Sequence, residues 1–511
     1  MRKTVFIKNA AVLTVSSLIL RFAGIVFKVW LAAKIGSEGI GLYQLVFSVY
    51  MFTATFATSG ISTAVTRLVS EELAVGKKSG VKRILVRCIE LSVIIAALSI
   101  AILFFGADFI SVYILKETRA ALSLKILAFS LPFMGISSCI RGYFIARRKA
   151  MPSSVSQILE QTVRIVLIIT LISRYNHLGL EYSCAAVLIG DTVAEALACA
   201  YIYLLYKLDF RKLKTAAGSG RAPYKLLPAI SHIATPITLG RYLNSFLRMI
   251  ENILVPQCLS ASAAGDVNGI SLFGMIKGMA LPLLFFPSTL LNAMSTLLIP
   301  EISESAVRKR NGIVQNISYR IIKITSLVSV IFSALFFVGG RKIGLLVYGD
   351  ADVGALLCAL SPIVPFMYLD AISDGILKGL DQQKFTFHTS VGDSAIRIVL
   401  VLLLLRRFGI NSFIAIMYFS NFFTCFLNTG RLIKVTKLRL DLTNIFFLPA
   451  CGALTLCFGV NTLLKTLFNM SDLIYTVCLS VICLALYFVY LFMLGIIDRD
   501  DINAIKAVKS N

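Results

Sequence analysis

Residues 163–175, VRIVLIITLISRY, return 233 residues later as 396–408, IRIVLVLLLLRRF. At the same offset Leu131-Pro132-Phe133-Met134 falls on Val364-Pro365-Phe366-Met367. At an offset of 230, Gly39-Ile40-Gly41-Leu42-Tyr43 falls on Gly269-Ile270-Ser271-Leu272-Phe273, and at 220 Arg21 and Lys28 fall on Arg241 and Arg248. Apolar windows match easily by chance, but aligned charges and a Pro-Phe-Met string do not. The changing offset implies loop insertions, one of them near 257–268. The chain therefore reads as two copies of one unit.

Each copy is built from apolar blocks about 20 residues long, enough to span a ~30 Å hydrocarbon core. The fourteen blocks fall near 9–33, 42–65, 84–106, 121–146, 153–173, 183–206, 227–254, 270–300, 321–340, 356–380, 389–405, 411–430, 444–465 and 473–495. Hydrophobic residues make up 58% of the 511-residue chain and charged residues 15%, with mean hydropathy +0.85. A soluble domain is closer to a quarter charged. Backbone groups in lipid must bond within their own element, and runs this long exclude the alternating pattern of a barrel. The expected fold is an all-α membrane protein of about fourteen transmembrane helices. Two six-helix repeats surround a central cavity, and a final helix pair follows.

The net charge of +24 follows topology rather than nucleic acid. With the N-terminus inside, the segments 1–8, 66–83, 147–152, 207–226, 301–320, 381–388, 431–443 and 496–511 carry 29 Lys and Arg, whereas the opposite loops carry 8. That asymmetry places both termini in the cytoplasm. The basic start (Arg2, Lys3, Lys8) imitates a signal peptide, yet no small-residue cleavage site follows and Arg21 interrupts the apolar run. It reads as an uncleaved first helix. An even number of helices per repeat relates the halves by an axis along the membrane normal. The divisions are 1–206 (N-lobe, helices 1–6), 207–226 (a basic linker with Gly218-Ser219-Gly220), 227–431 (C-lobe, helices 7–12) and 432–511 (helices 13–14 and tail).

Intramembrane charges carry the chemistry. Arg21 and Lys28 are seven residues apart and share one helix face; Arg241 and Arg248 repeat that spacing. Four such cations would cost roughly 10–14 kcal/mol against lipid, so they are expected to face hydrated or counter-charged space. Lys277 adds a fifth. A cationic cavity suits an anionic substrate, and the arginine fork suits phosphate. Glu160 and Arg164 form an i,i+4 pair that Asp393 and Arg397 repeat, in the favourable order for an ion pair; either structure or gating explains it. Asp191, Glu195, Glu251, Asp370 and Asp374 are the carboxylates available to a coupling proton or Na+.

Enzyme signatures are missing. The three histidines (His177, His232, His388) are dispersed, and the 11 cysteines form no CxxC pair, so no metal site or disulfide framework is indicated. No GxSxG, Walker A or HExxH string occurs. No catalytic residue and no cofactor is expected.

Several strings are more specific. Gly36-Ser37-Glu38-Gly39-Ile40-Gly41-Leu42-Tyr43, Gly60-Ile61-Ser62, Arg67-Leu68-Val69-Ser70-Glu71, Ser137-Ser138-Cys139-Ile140-Arg141-Gly142-Tyr143-Phe144 and Ser156-Gln157-Ile158-Leu159-Glu160-Gln161-Thr162-Val163-Arg164-Ile165 together resemble the stage V sporulation protein B family. That family belongs to the multidrug/oligosaccharidyl-lipid/polysaccharide exporter superfamily and is similar to the lipid II flippases. The resemblance implies a multi-pass protein of a bacterial plasma membrane. It would flip an undecaprenyl-pyrophosphate-linked peptidoglycan precursor, for spore cortex, to the outer leaflet by alternating access. In the flippases cations of helices 1, 2 and 8 line the cavity. Arg21 and Lys277 fall on two of those positions, while residues 42–65 hold no Arg or Lys, a departure from the Gram-negative type. Expected partners are the lipid-linked saccharide, membrane lipids and a cell-wall polymerase, with no nucleic acid and a monomeric state. The rival readings are an organic-cation exporter, whose cavity should be acidic and aromatic, a membrane-embedded glycosyltransferase, which needs clustered carboxylates and a large outer loop, and a purely structural scaffold.

Overall fold

Apolar runs and backbone breaks decide where the helices begin and end. The computed structural model describes residues 2–58, 60–74, 78–212, 226–262, 268–467 and 471–496; the glycine-containing part of the expected linker and the C-terminal tail lie outside them. The first helix, α1 (Arg2–Thr58), has 57 residues. At 1.5 Å per residue it runs about 86 Å, far beyond one hydrocarbon thickness, and it breaks at Gly36, where φ is 70° and ψ 178°. A positive φ strains most side chains and is open to glycine. The first two apolar blocks are the two arms of this kinked helix.

After it come α2 (Ile61–Ala74), α3 (Lys78–Phe109), α4 (Ala120–Ala128), α5 (Leu131–Ala146), α6 (Ala150–Tyr175) and α7 (Leu180–Arg211). The block at 121–146 is bent by 42° between α4 and α5. Pro132 sits in the first turn of α5, where its missing N–H has no helical acceptor to serve. Then follow α8 (Leu226–Ser260), α9 (Gly269–Phe273), α10 (Leu281–Phe285), α11 (Ser288–Val307), α12 (Asn311–Tyr348), α13 (Ala351–Leu360) and α14 (Val364–Gly379). Pro365 opens α14 as Pro132 opens α5. The block read as one helix at 270–300 is instead broken. A π-helical stretch, Gly274–Ala280, separates α9 from α10, and Pro287 separates α10 from α11. The chain ends with α15 (Gln383–Leu400), α16 (Arg406–Thr436), which breaks at Gly409 (φ 57°), α17 (Leu448–Leu467) and α18 (Asp472–Met493).

No strand occurs among the described residues. Eight helices there are long and apolar enough to cross a membrane, nine if α4 and α5 form one span. Packing groups the chain into two units: Met1–Gly274 with Ser394–Gly409, and Met275–Asp393 with Ile410–Asn511. This is not the line drawn by the repeat, because α8 and α9 from the second copy pack with the first. One core of the first unit joins Ile61, Val65, Tyr143 and Ile202 to Ile230 and Ala234 of α8. In the second unit α12, α17 and α18 share a core around Leu327, Ile331, Ala453 and Leu479.

Candidate functional site

The unpaired cations come first. In the first unit α1 packs against α8. Arg21, Arg241 and Arg248 are exposed and Lys28 is half-buried, and none of the four has an ion-pair partner among the described residues. The arginines of α8 share their face with Ser245, whose hydroxyl lies 3.4 Å from that of Thr55 on the second arm of α1. Around it Tyr242 donates to the Phe56 carbonyl at 3.3 Å and stacks on the Phe56 ring at 4.0 Å, while Phe246 meets Phe52 at 5.5 Å. Aromatic contacts thus fix how this face of α8 is turned. Lys277 belongs to the second unit. It lies half-buried in the π-helical stretch, a geometry that shifts the helical frame and is frequent at functional sites, and it is not a free charge.

A second group of charges is paired inside the first unit. Glu160 on α6 accepts from Arg141 of α5 at 2.9 Å and from Arg164 at 2.8 Å. Arg164 also reaches Asp191 of α7 at 2.7 Å and donates to Gln161 at 2.9 Å. Glu195 lies one turn beyond Asp191, 6% exposed, and its Oε1 has no hydrogen-bond partner among the described residues. Glu160 and Asp191 therefore share two guanidinium groups, and Glu195 is a third carboxyl on the same helices. The i,i+4 spacing of Glu160 and Arg164 is visible in the sequence. Nothing in it joins Arg141 to Glu160 or Arg164 to Asp191, since those pairings arise from helix packing.

The remaining carboxylates are dispersed. Glu251 on α8, 3% exposed, pairs with Arg397 of α15 at 3.3 Å. Spacing along the sequence does not point from Arg397 to Glu251, which lies on another helix; Asp393 accepts the Ser420 hydroxyl at 2.6 Å. Asp374 pairs with Lys378 at 2.6 Å, one turn away on α14. Asp370 accepts from Asn428 at 2.8 Å. A groove of about 260 Å³ in the second unit is walled by Ile363, Phe366, Tyr418, Phe419 and Phe422, and the Tyr418 hydroxyl is already donated to the Ala359 carbonyl. Such walls accept hydrocarbon and offer nothing to a phosphate. Among the described residues no three His, Cys, Asp or Glu side chains are grouped to hold a metal.

The polysaccharide biosynthesis protein family matches residues 6–306. Stage V sporulation protein B of Bacillus subtilis (strain 168) is 23% identical over 517 residues, spanning 99% of both chains. The lipid II flippase MurJ of the same organism is 24% identical over 439 residues, 77% of this chain and 76% of that one. Among solved structures, lipid II flippase MurJ in an inward closed conformation aligns with TM-score 0.71 at 13% identity, covering 94% of this chain and 98% of that one. An inward-facing multidrug resistance MATE transporter of the MOP superfamily aligns with TM-score 0.65 at 13% identity, covering 84% and 100%. At these identities the structural likeness concerns the fold.

Proposed function

Since the chain belongs to the polysaccharide biosynthesis protein family, we propose that it flips a lipid-linked pyrophosphoryl saccharide from the inner to the outer leaflet by alternating access. The observation that carries the reading is the set of four cations on α1 and α8 without ion-pair partners among the described residues. Left against lipid they would cost roughly 10–14 kcal/mol; facing hydrated space they are held ready for an anion. A pyrophosphate needs several charge-assisted donors, and arginine supplies them in a planar fork. The tail of the lipid stays in the bilayer, for which the apolar groove on α14 and α16 is a suitable wall. The substrate in this reading is the undecaprenyl-linked peptidoglycan precursor, made for spore cortex, in keeping with the names of the sporulation and lipid II relatives. Both termini are cytoplasmic, a Na+ or H+ gradient resets the carrier, and a cell-wall polymerase receives the product from a monomeric flippase.

Reconstituted vesicles containing a fluorescent undecaprenyl-pyrophosphate saccharide test this. Arg21→Ala and Arg241→Ala are each expected to abolish transfer to the outer leaflet while the protein still inserts. Full transfer by the double variant would remove the basis of the reading. One observation favours a second: three carboxyl groups against two guanidiniums on α5, α6 and α7 leave negative charge, as an organic-cation exporter requires. Extrusion of a cationic dye by the same vesicles, with no lipid transfer, would select it.

A further inference from the structure

The last two helices, α17 and α18, both belong to the second unit and run antiparallel on α12. Contacts at two levels fix their register. Near one end the Tyr490 hydroxyl donates to the Leu448 carbonyl at 3.2 Å, and a Cβ on Gly452 would stand 2.2 Å from the Tyr490 ring. Near the other the Tyr475 hydroxyl meets the Asn461 side chain. Midway between the two levels, the same pairing sets Cys457 opposite Cys483. Both are 0% exposed and share one core, and their thiols hydrogen-bond each other.

Neither thiol belongs to the cationic face of α1 and α8 or to the carboxylate network, both of which lie in the first unit. Of the 11 cysteines, Cys88 and Cys139 are also near each other, but the Cys139 thiol bonds the hydroxyls of Ser92 and Ser138 instead. The chemistry open to Cys457 and Cys483 depends on depth. Each stands near the middle of a helix long and apolar enough to span the bilayer. Glutathione and thioredoxin, which keep cytosolic thiols reduced, are water-soluble and do not enter at that depth. Lipid-soluble oxidants do.

We propose that Cys457 and Cys483 are a modification site: a lipid-soluble quinone converts them to a disulfide that staples α17 to α18. Two S–H bonds break and one S–S bond forms. The two electrons and two protons pass to the quinone, which leaves as the hydroquinone. Thiols that already face each other across packed helices need little backbone movement to reach disulfide geometry. On either side of Cys483, α18 is held to α12. Tyr487 donates to the Leu327 carbonyl at 3.2 Å, and a Cβ on Gly339 would stand 3.1 Å from Leu479. The staple therefore ties α17 to a helix that is itself anchored, and closing residues 457–483 into a ring restricts the unfolded chain.

Membranes containing the full chain, treated with decylubiquinone or with dithiothreitol, are the direct test. The protein is then denatured, its remaining thiols are capped with a maleimide, and its peptides are read by mass spectrometry. After dithiothreitol every cysteine should carry the cap. After the quinone Cys457 and Cys483 should lose it together and appear in one linked peptide that dithiothreitol separates. The unfolding midpoint of the quinone-treated protein should rise by several degrees, and that rise should be absent in Cys457→Ala. Both thiols still capped after the quinone would overturn the proposal, as would a cap lost without a linked peptide or a peptide joining either thiol to another cysteine. If Cys457→Ala fails to accumulate, Cys483→Ala supplies the same comparison, and the linked peptide of the wild-type protein decides by itself.

Discussion

Glu160 answers two guanidinium groups at once, and Arg164 answers two carboxylates. Removing a member of such a network leaves a buried charge without its partner, at about 3–5 kcal/mol. Glu160→Gln is expected to lower the thermal unfolding midpoint measured by fluorescence-detected gel filtration, and Arg164→Gln to do the same. The double variant should fall short of the sum, because less lone charge remains. Glu195 differs. Its Oε1 has no hydrogen-bond partner among the described residues, and its charge is the third against two, so Glu195→Gln should leave the midpoint unchanged or raise it. A drop equal to that of Glu160→Gln would mean that Glu195 is bonded as firmly as its neighbour. At the cationic face, Arg21→Lys should restore only part of the transfer lost in Arg21→Ala, since a point charge lacks the bidentate fork; equal rates would reduce the arginine to its charge alone.

Among the elements, the repeat-related segments at Gly39-Ile40-Gly41 and Gly269-Ile270-Ser271 end up against each other within the first unit. The Ser37 and Ser271 hydroxyls are 2.7 Å apart. A Cβ on Gly41 would stand 2.0 Å from the Ile270 carbonyl oxygen, and one on Gly274 would stand 2.0 Å from that of Ser37. Gly41→Val should therefore force α1 and α9 apart. Cysteines introduced at Ser37 and Ser271 should cross-link under mild oxidation in the parent protein and fail to do so once Gly41 is Val; unchanged cross-linking would show that the contact yields without opening. The sequence supplied the two copies of this string but not their meeting, which depends on how α1 turns at Gly36. Helix existence was likewise readable from apolar runs. The breaks at Phe129-Ser130, Gly274–Ala280 and Pro287 were not. An apolar run looks the same whether its backbone bonds reach four residues back or five, and a proline marks a helix start and a helix break alike.

For the whole molecule, the charge asymmetry makes a direct demand. Residues 207–226 carry six Lys and Arg, so Ser219→Cys should resist an impermeant thiol reagent in intact cells and react once they are opened. Labelling from outside would invert the topology. The units raise another matter. The repeat divides near 207–226, while packing keeps α8, α9 and residues 394–409 with the first copy, and Ile230 and Ala234 complete a core begun by Ile61 and Tyr143. A tandem duplication starts with two copies, each sufficient for itself. Here the boundary crossings at 274 and 393 fall inside a π-helical stretch and α15, and the one at 409 falls on the break in α16. The descendant cannot be cut back to its ancestor: a gene stopped at codon 206 would yield a half with an open seam, and shuffling one copy between relatives would carry along part of the other's interior.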